Sequence, residues 1–138
     1  MARVDEIADG VFRLNTPVSA DLDVSFFLVR DDQPALIGTG LRASFDDTYA
    51  ALRRLIRPSQ LRYVVVPHVE SDQTGALNQF LDQAPYAVAL GSPIGVATNL
   101  DDLADAETRP MDDSDRLYLG THRLRFLVTP HVHQWDSM

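Results

Sequence analysis

Apolar and polar positions alternate with period two in some stretches of the chain and recur every three to four residues in others. Gly10–Asn15 (GVFRLN) alternates and predicts a first strand. Val24–Arg30 (VSFFLVR) and Ala35–Thr39 (ALIGT) flank the turn-rich quartet Asp31-Asp32-Gln33-Pro34, which predicts an antiparallel hairpin. Ser44 stands as an N-cap with Asp46 and Asp47 in the turn after it, where carboxylates suit the positive end of a helix. Phe45, Tyr49, Leu52, Leu55 and Ile56 follow at helical spacing until Pro58 stops the run. Leu61–Val66 (LRYVVV) reads as a buried strand. Thr74–Leu81 reads as a helix with Ala76, Leu77, Phe80 and Leu81 toward the core, and Tyr86–Leu90 as a short strand. Ser92-Pro93 is an N-cap followed by proline at the first helical position, opening a helix to about Ala104. Asp112–Asp115 is a polar turn, after which Arg116–Leu119 and Arg123–Thr129 predict a second hairpin around Gly120-Thr121. The order β-β-β-α-β-α-β-α-β-β mixes hairpins with helical crossovers, so the expected class is α/β with a mixed β-sheet and flanking helices.

Composition narrows this picture. A chain of 138 residues is one domain or part of one, long enough to bury roughly two thirds of its unfolded surface. With 45% hydrophobic and 23% charged residues it reads as globular. A net charge of −8 without clustered Lys or Arg argues against nucleic acid and anionic membranes as partners. Apolar runs fall far short of the roughly 20 residues of a membrane-spanning helix. No charged, then apolar, leader opens the chain, so the expected location is cytoplasmic. The absence of cysteine excludes disulfides, thiolate ligands and a cysteine nucleophile.

The candidate chemistry sits at two strand ends. His68, Glu70 and Asp72 alternate directly after Leu61–Val66, and in an extended stretch all three share one face. His131 and His133 follow the last apolar strand and share a face for the same reason. Histidine and carboxylate donors without thiolate fit zinc, iron or manganese. His68, Glu70 and His133 would form a two-histidine, one-carboxylate set with open positions, and Asp72 would serve a second metal nearby. The same residues admit blander readings. Glu70 and Asp72 could cap the helix near Thr74, and the two histidines could decorate a surface strand end. Trp135 could shield a pocket but is expected in the core. His122 is expected as a solvated surface group and His131 as a surface or supporting group. Asp136 could hydrogen-bond a ligating imidazole or begin a turn. No G-x-S-x-G elbow or glycine-rich phosphate loop is present, so no serine nucleophile or nucleotide site is expected.

The stretch His68-Val-Glu-Ser-Asp-Gln-Thr-Gly75-Ala-Leu resembles the H-x-E-x-D-H-x-G-A-L signature of flavodiiron proteins, within the metallo-β-lactamase superfamily. Thr129-Pro-His-Val-His133-Gln-Trp-Asp-Ser-Met138 is similar to that family's L-H-W-P-D-S-M strand end. Glu6–Phe12 and Ala35–Thr39 are similar to its opening strands, so the resemblance runs along essentially the whole chain. It implies an αββα sandwich, here its first half, carrying a non-haem diiron centre. By position, His68, Glu70 and His133 would bind one iron and Asp72 the other. Three departures stand out. Gln73 occupies a position where many members carry histidine, Gly38 replaces an aspartate of the L-I-D-T strand, and the chain stops at Met138 before the family's later bridging aspartate and last histidine.

The expected function is therefore an oxygen-binding, or oxygen- or nitric-oxide-reducing, diiron domain that is incomplete and weakly active alone. Electrons would come from an external donor, with FMN supplied only through a partner because residues 1–138 form a single domain with no flavodoxin domain. Half a sandwich leaves apolar sheet surface, so a homodimer or a complementing second half is expected as cover. The alternatives are a zinc-dependent hydrolase of the same superfamily, which usually carries histidine at the position of Glu70, and a metal-free sensing or interaction module.

Overall fold

The alternation in four strands decides the architecture. Leu28, Leu36, Val64, Val66 and Ala89 point to one side of a sheet, while Val29, Ala35, Val65 and Leu90 point to the other, and both sets are buried. A sheet apolar on both faces has to be covered on both. In the computed structural model, which describes all 138 residues, that cover differs between the two sides.

Seven strands lie in chain order in one sheet: β1 (Arg3–Ala8), β2 (Val11–Ser19), β3 (Leu22–Val29), β4 (Ala35–Ile37), β5 (Tyr63–Val65), β6 (Val88–Gly91) and β7 (Thr108–Pro110). The first four pair antiparallel through tight connections. From β4 to β7 the pairing is parallel, which requires a crossover between successive strands. Those crossovers carry α1 (Phe45–Arg53), then α2 (Ser71–Thr74) and α3 (Leu77–Gln83), then a run from α4 (Pro93–Gly95) through a wider π turn (Val96–Leu100) to α5 (Asp101–Leu103). Leu52, Leu77, Phe80 and Leu100 bring these helices onto Phe12, Leu14, Phe26 and Leu28 in the larger core. On the other face a two-stranded hairpin, β8 (Arg116–Tyr118) and β9 (Arg123–Arg125), lays Leu117, Leu119 and Phe126 on Val29, Val65 and Leu90. The mixed α/β sheet with flanking helices is as the sequence predicts. No helix is long and apolar enough to cross a membrane.

Several boundaries differ from expectation. The edge strand β1 is not predicted, because its charges Arg3, Asp5 and Glu6 break an apolar pattern. Those charges suit an edge, and Arg3 and Arg13 both pair with Asp5 across β1 and β2. β7 also escapes prediction, since Thr108-Arg109-Pro110 has no apolar residue to signal a strand. The helix expected over Thr74–Leu81 is two helices meeting at Gly75-Ala76. Gly75 packs so close that a Cβ there would stand 2.7 Å from the Arg42 amide nitrogen. Ser44 makes no side-chain cap bond, whereas Ser92 does, its Oγ accepting from the Gly95 amide at 3.1 Å. The last strand pairs only to Arg125, and the segment toward His131 and His133 is a series of turns.

Candidate metal centre

β5 ends at Val65, and three residues later His68 is buried, with only 10% of its side chain exposed. The carboxyl-terminal loop holds it from behind. The Met138 amide donates to the Pro67 carbonyl at 3.0 Å, and the Val69 amide donates to Asp136 Oδ2 at 2.8 Å. The loop is stiffened by its own bonds, from the Thr129 amide to the Ser137 carbonyl and from the Gln134 amide to Ser137 Oγ. The Ser92 hydroxyl ties it to the start of α4 by donating to the Asp136 carbonyl at 2.7 Å.

This loop carries His133 to His68. Their rings stand edge to face with centroids 4.7 Å apart. One donor atom each from His68, Glu70 and His133 lie within 4.8 Å of one another. The spacing suits three ligands drawn in around one cation. His68 Nε2 is 3.7 Å from Glu70 Oε2 and 3.7 Å from Asp72 Oδ1, beyond hydrogen-bond reach of either. Both His68 Nε2 and Asp72 Oδ1 are buried without a hydrogen-bond partner. An orphaned buried polar atom costs on the order of 1–3 kcal/mol. Two of them facing each other within a histidine–carboxylate cluster fit a cation that would satisfy both.

The route to this convergence is not the one the alternation suggests. Glu70 is extended (φ −135°, ψ 163°), but Ser71–Thr74 turns into the single turn of α2. Asp72 therefore reaches His68 as its i+4 neighbour and not as the next residue on an extended face. His131 does not share a face with His133 in a strand, because it sits in the left-handed region (φ +62°) within a turn and is exposed. Asp136 is buried against the Val69 amide and fixes the backbone beside His68, not an imidazole. Trp135 is 40% exposed and not in the core.

Two glutamines support the carboxylates of the site, Gln134 without notice in the sequence and Gln73 noted there only as a departure from the resemblance. Gln134 Nε2 donates to Glu70 Oε1. Gln73 Nε2 donates to Asp72 Oδ2 at 3.1 Å, while both the amide and the hydroxyl of Thr39 donate to the Gln73 carbonyl, at 2.9 and 2.8 Å. Adjacency to His133 is the only sequence signal Gln134 gives, whereas Gln73 stands out by its position in the motif His68–Leu77. The arrangement fits one cation well. Asp72 lies beside that set, with one oxygen turned toward His68 and the other engaged by the Gln73 amide.

His122, expected as a solvated surface group, is instead locked on the far side of the sheet. Its Nδ1 lies 2.6 Å from Asp31 Oδ2 and its Nε2 lies 2.7 Å from the Asp9 carbonyl oxygen. Asp31 also accepts from the amides of Thr121 and His122. These bonds, that from the His122 amide foremost, hold the Asp31 carboxyl well below the usual carboxylate range. The Asp31 carboxylate in turn raises the His122 pKa, with the Asp9 carbonyl adding to the effect.

A family model described as ODP family beta lactamase matches residues 23–138. Type A flavoprotein fprA of Rhodobacter capsulatus is 30% identical over 116 residues, covering 80% of this chain and 27% of that protein. Flavo-diiron protein FprA2 of Clostridium acetobutylicum is 27% identical over 115 residues, covering 81% of this chain and 29% of that protein. Rubredoxin oxygen:oxidoreductase from the anaerobe Desulfovibrio gigas superposes with a TM-score of 0.88 at 21% identity, over 98% of this chain and 37% of that one, a likeness of fold. The chain thus spans less than a third of the length of these two sequence relatives.

Proposed function

Because this chain belongs to the ODP beta-lactamase family and its homologues are flavodiiron proteins, we propose that it is the metal-holding unit of a dioxygen or nitric oxide reductase, with His68, Glu70 and His133 as iron ligands. The observation that carries this reading is the buried, unpartnered Nε2 of His68, faced by an imidazole and two carboxylates. Iron held there would exchange electrons with dioxygen or nitric oxide and would need an external donor.

The residues divide the remaining work. His68, clamped through Pro67 and Val69, offers a nitrogen whose position is set before any ion arrives. Such pre-positioning reduces the ordering that binding would otherwise demand. Glu70 and His133 are exposed, which leaves the site open on one side to a small diatomic substrate. Gln134 orients Glu70 by donating to one of its oxygens and leaves the other toward His68. In this reading the open metal positions, and not a protein acid or base, would carry the chemistry. Glu70 favours this reading over a zinc hydrolase of the same superfamily, in which a histidine usually stands at the matching position.

The apolar face beside the site argues for a partner. Ile37, Leu124, Leu127 and Met138 line a hollow of about 170 Å³ there, and Leu127 is 51% exposed. A complementing second half or a second copy of the chain would cover this surface, and FMN on a partner would deliver the electrons.

Anaerobic purification from medium containing both iron and zinc, followed by metal analysis, tests the reading. Iron retained by the wild-type chain and lost in His68→Ala and in His133→Ala is expected. Zinc in place of iron would favour the hydrolase, and retention of metal by either variant would overturn the ligand assignment.

A further inference from the structure

The surroundings of Gln73 bear on how many ions the site takes. Gly38, at the end of β4, has φ +74°, and a Cβ built on it would stand 2.5 Å from Gln73 Oε1. The side chain of Gln73 therefore occupies room that exists only because residue 38 has none. It is anchored there independently of its amide, by the two Thr39 bonds to its backbone carbonyl. From that position Nε2 donates to Asp72 Oδ2, while Asp72 Oδ1 is buried and turned toward His68. One oxygen of Asp72 is thus engaged by the amide, and the other faces the His68 cluster.

We propose that Gln73, seated against Gly38, keeps Asp72 from serving a second metal ion, so that these residues hold a single one. Asp72 is then part of the environment of that one ion and not a ligand to a second. The chemistry is direct. A neutral amide is a weak donor toward first-row divalent ions, whereas an imidazole is a strong one. An amide hydrogen bond also lowers the availability of the carboxylate beside it. This inference rests on the reading that His68, Glu70 and His133 hold a metal.

Anaerobic titration of the intact chain with ferrous ion, with bound iron counted after gel filtration, tests it. The wild-type chain is expected to retain one ion, and Gln73→His to take up a second at higher ferrous concentration. Two ions in the wild type, or one in both proteins, would overturn the proposal and leave the metal reading standing. No ion in the wild type would overturn the metal reading that this proposal presupposes.

A metal-independent measurement guards against a variant that folds poorly. Gly38→Ala is compared in the wild-type and Gln73→Ala backgrounds by denaturant midpoint. Backbone strain at positive φ is common to both, so any difference isolates the contact with residue 73. A smaller loss of midpoint in the Gln73→Ala background is expected. Equal losses would show that Gln73 does not fill the space beside Gly38.

Discussion

His68 is presented to the site by backbone that Asp136 holds from the other end of the chain, through the Val69 amide at 2.8 Å. Histidine and carboxylate types carry their chemistry in their names, so His68, Glu70 and His133 could be singled out from the sequence and lie together in space. Asp136 shows the limit. Its acidic side chain suggested a bond to an imidazole, but only folding reveals that it accepts from the Val69 amide across 67 residues of sequence. That bond supports the site indirectly, by fixing the backbone that presents His68. Asp136→Ala leaves a partly buried amide without its acceptor, at a cost of about 1–3 kcal/mol. The variant should unfold at lower denaturant and bind ferrous ion more weakly while keeping all three ligands. Asp136→Asn, which retains an acceptor oxygen, should recover most of both, as chemical denaturation and metal titration would show. If Asp136→Asn is as damaging as Asp136→Ala, the hydrogen bond to Val69 is not what matters.

At the scale of elements, strands with apolar alternation and helices with apolar stripes announced themselves, and those without did not. β5, β6 and the second half of β3 are largely buried on both faces, and their runs of Val, Leu and Phe leave little choice. β7 is a strand by its pairing with β6, a fact its own residues do not carry. The break between α2 and α3 was likewise hidden, because it depends on the approach of Arg42 to Gly75. Ser92 is the element whose local signal and distant role coincide. Its Oγ caps α4 at Gly95 and holds the Asp136 carbonyl, so one hydroxyl joins a helix start to the loop bearing His133. Loss of an N-cap costs about 0.5–2 kcal/mol. Ser92→Ala should lower stability by that amount and, unlike removal of an ordinary cap, also weaken metal binding. A stability loss with unchanged ferrous affinity would show that the loop holds its shape without α4.

At the scale of the whole molecule, the β8–β9 hairpin is the cover of the second face, and the site loop is its continuation. The hairpin is fastened to the turn after β3 by Asp31, which accepts from His122 and Thr121, and by the Gln33 amide donating to the Leu119 carbonyl at 2.8 Å. With both ring nitrogens facing acceptor oxygens, the surroundings of His122 favour its protonated form. Its raised pKa gives a stabilisation fully present below its ordinary value of 6.5 and lost as pH climbs through the higher folded value. Asp31 works in the opposite sense. Its lowered pKa gives a stabilisation present above the ordinary 3.8 and lost as pH falls through the lower folded value. Both contributions are complete only between roughly pH 4 and 6.5. The gap in denaturant midpoint between wild type and His122→Gln should therefore be widest in that window and narrow toward alkaline pH. Because residues 128–138 follow the hairpin directly, loosening it should also free His133, so His122→Gln should retain less iron than wild type in that window. A midpoint gap that stays constant from pH 5 to pH 9 would mean that the clamp holds the hairpin by shape, with its charges contributing nothing.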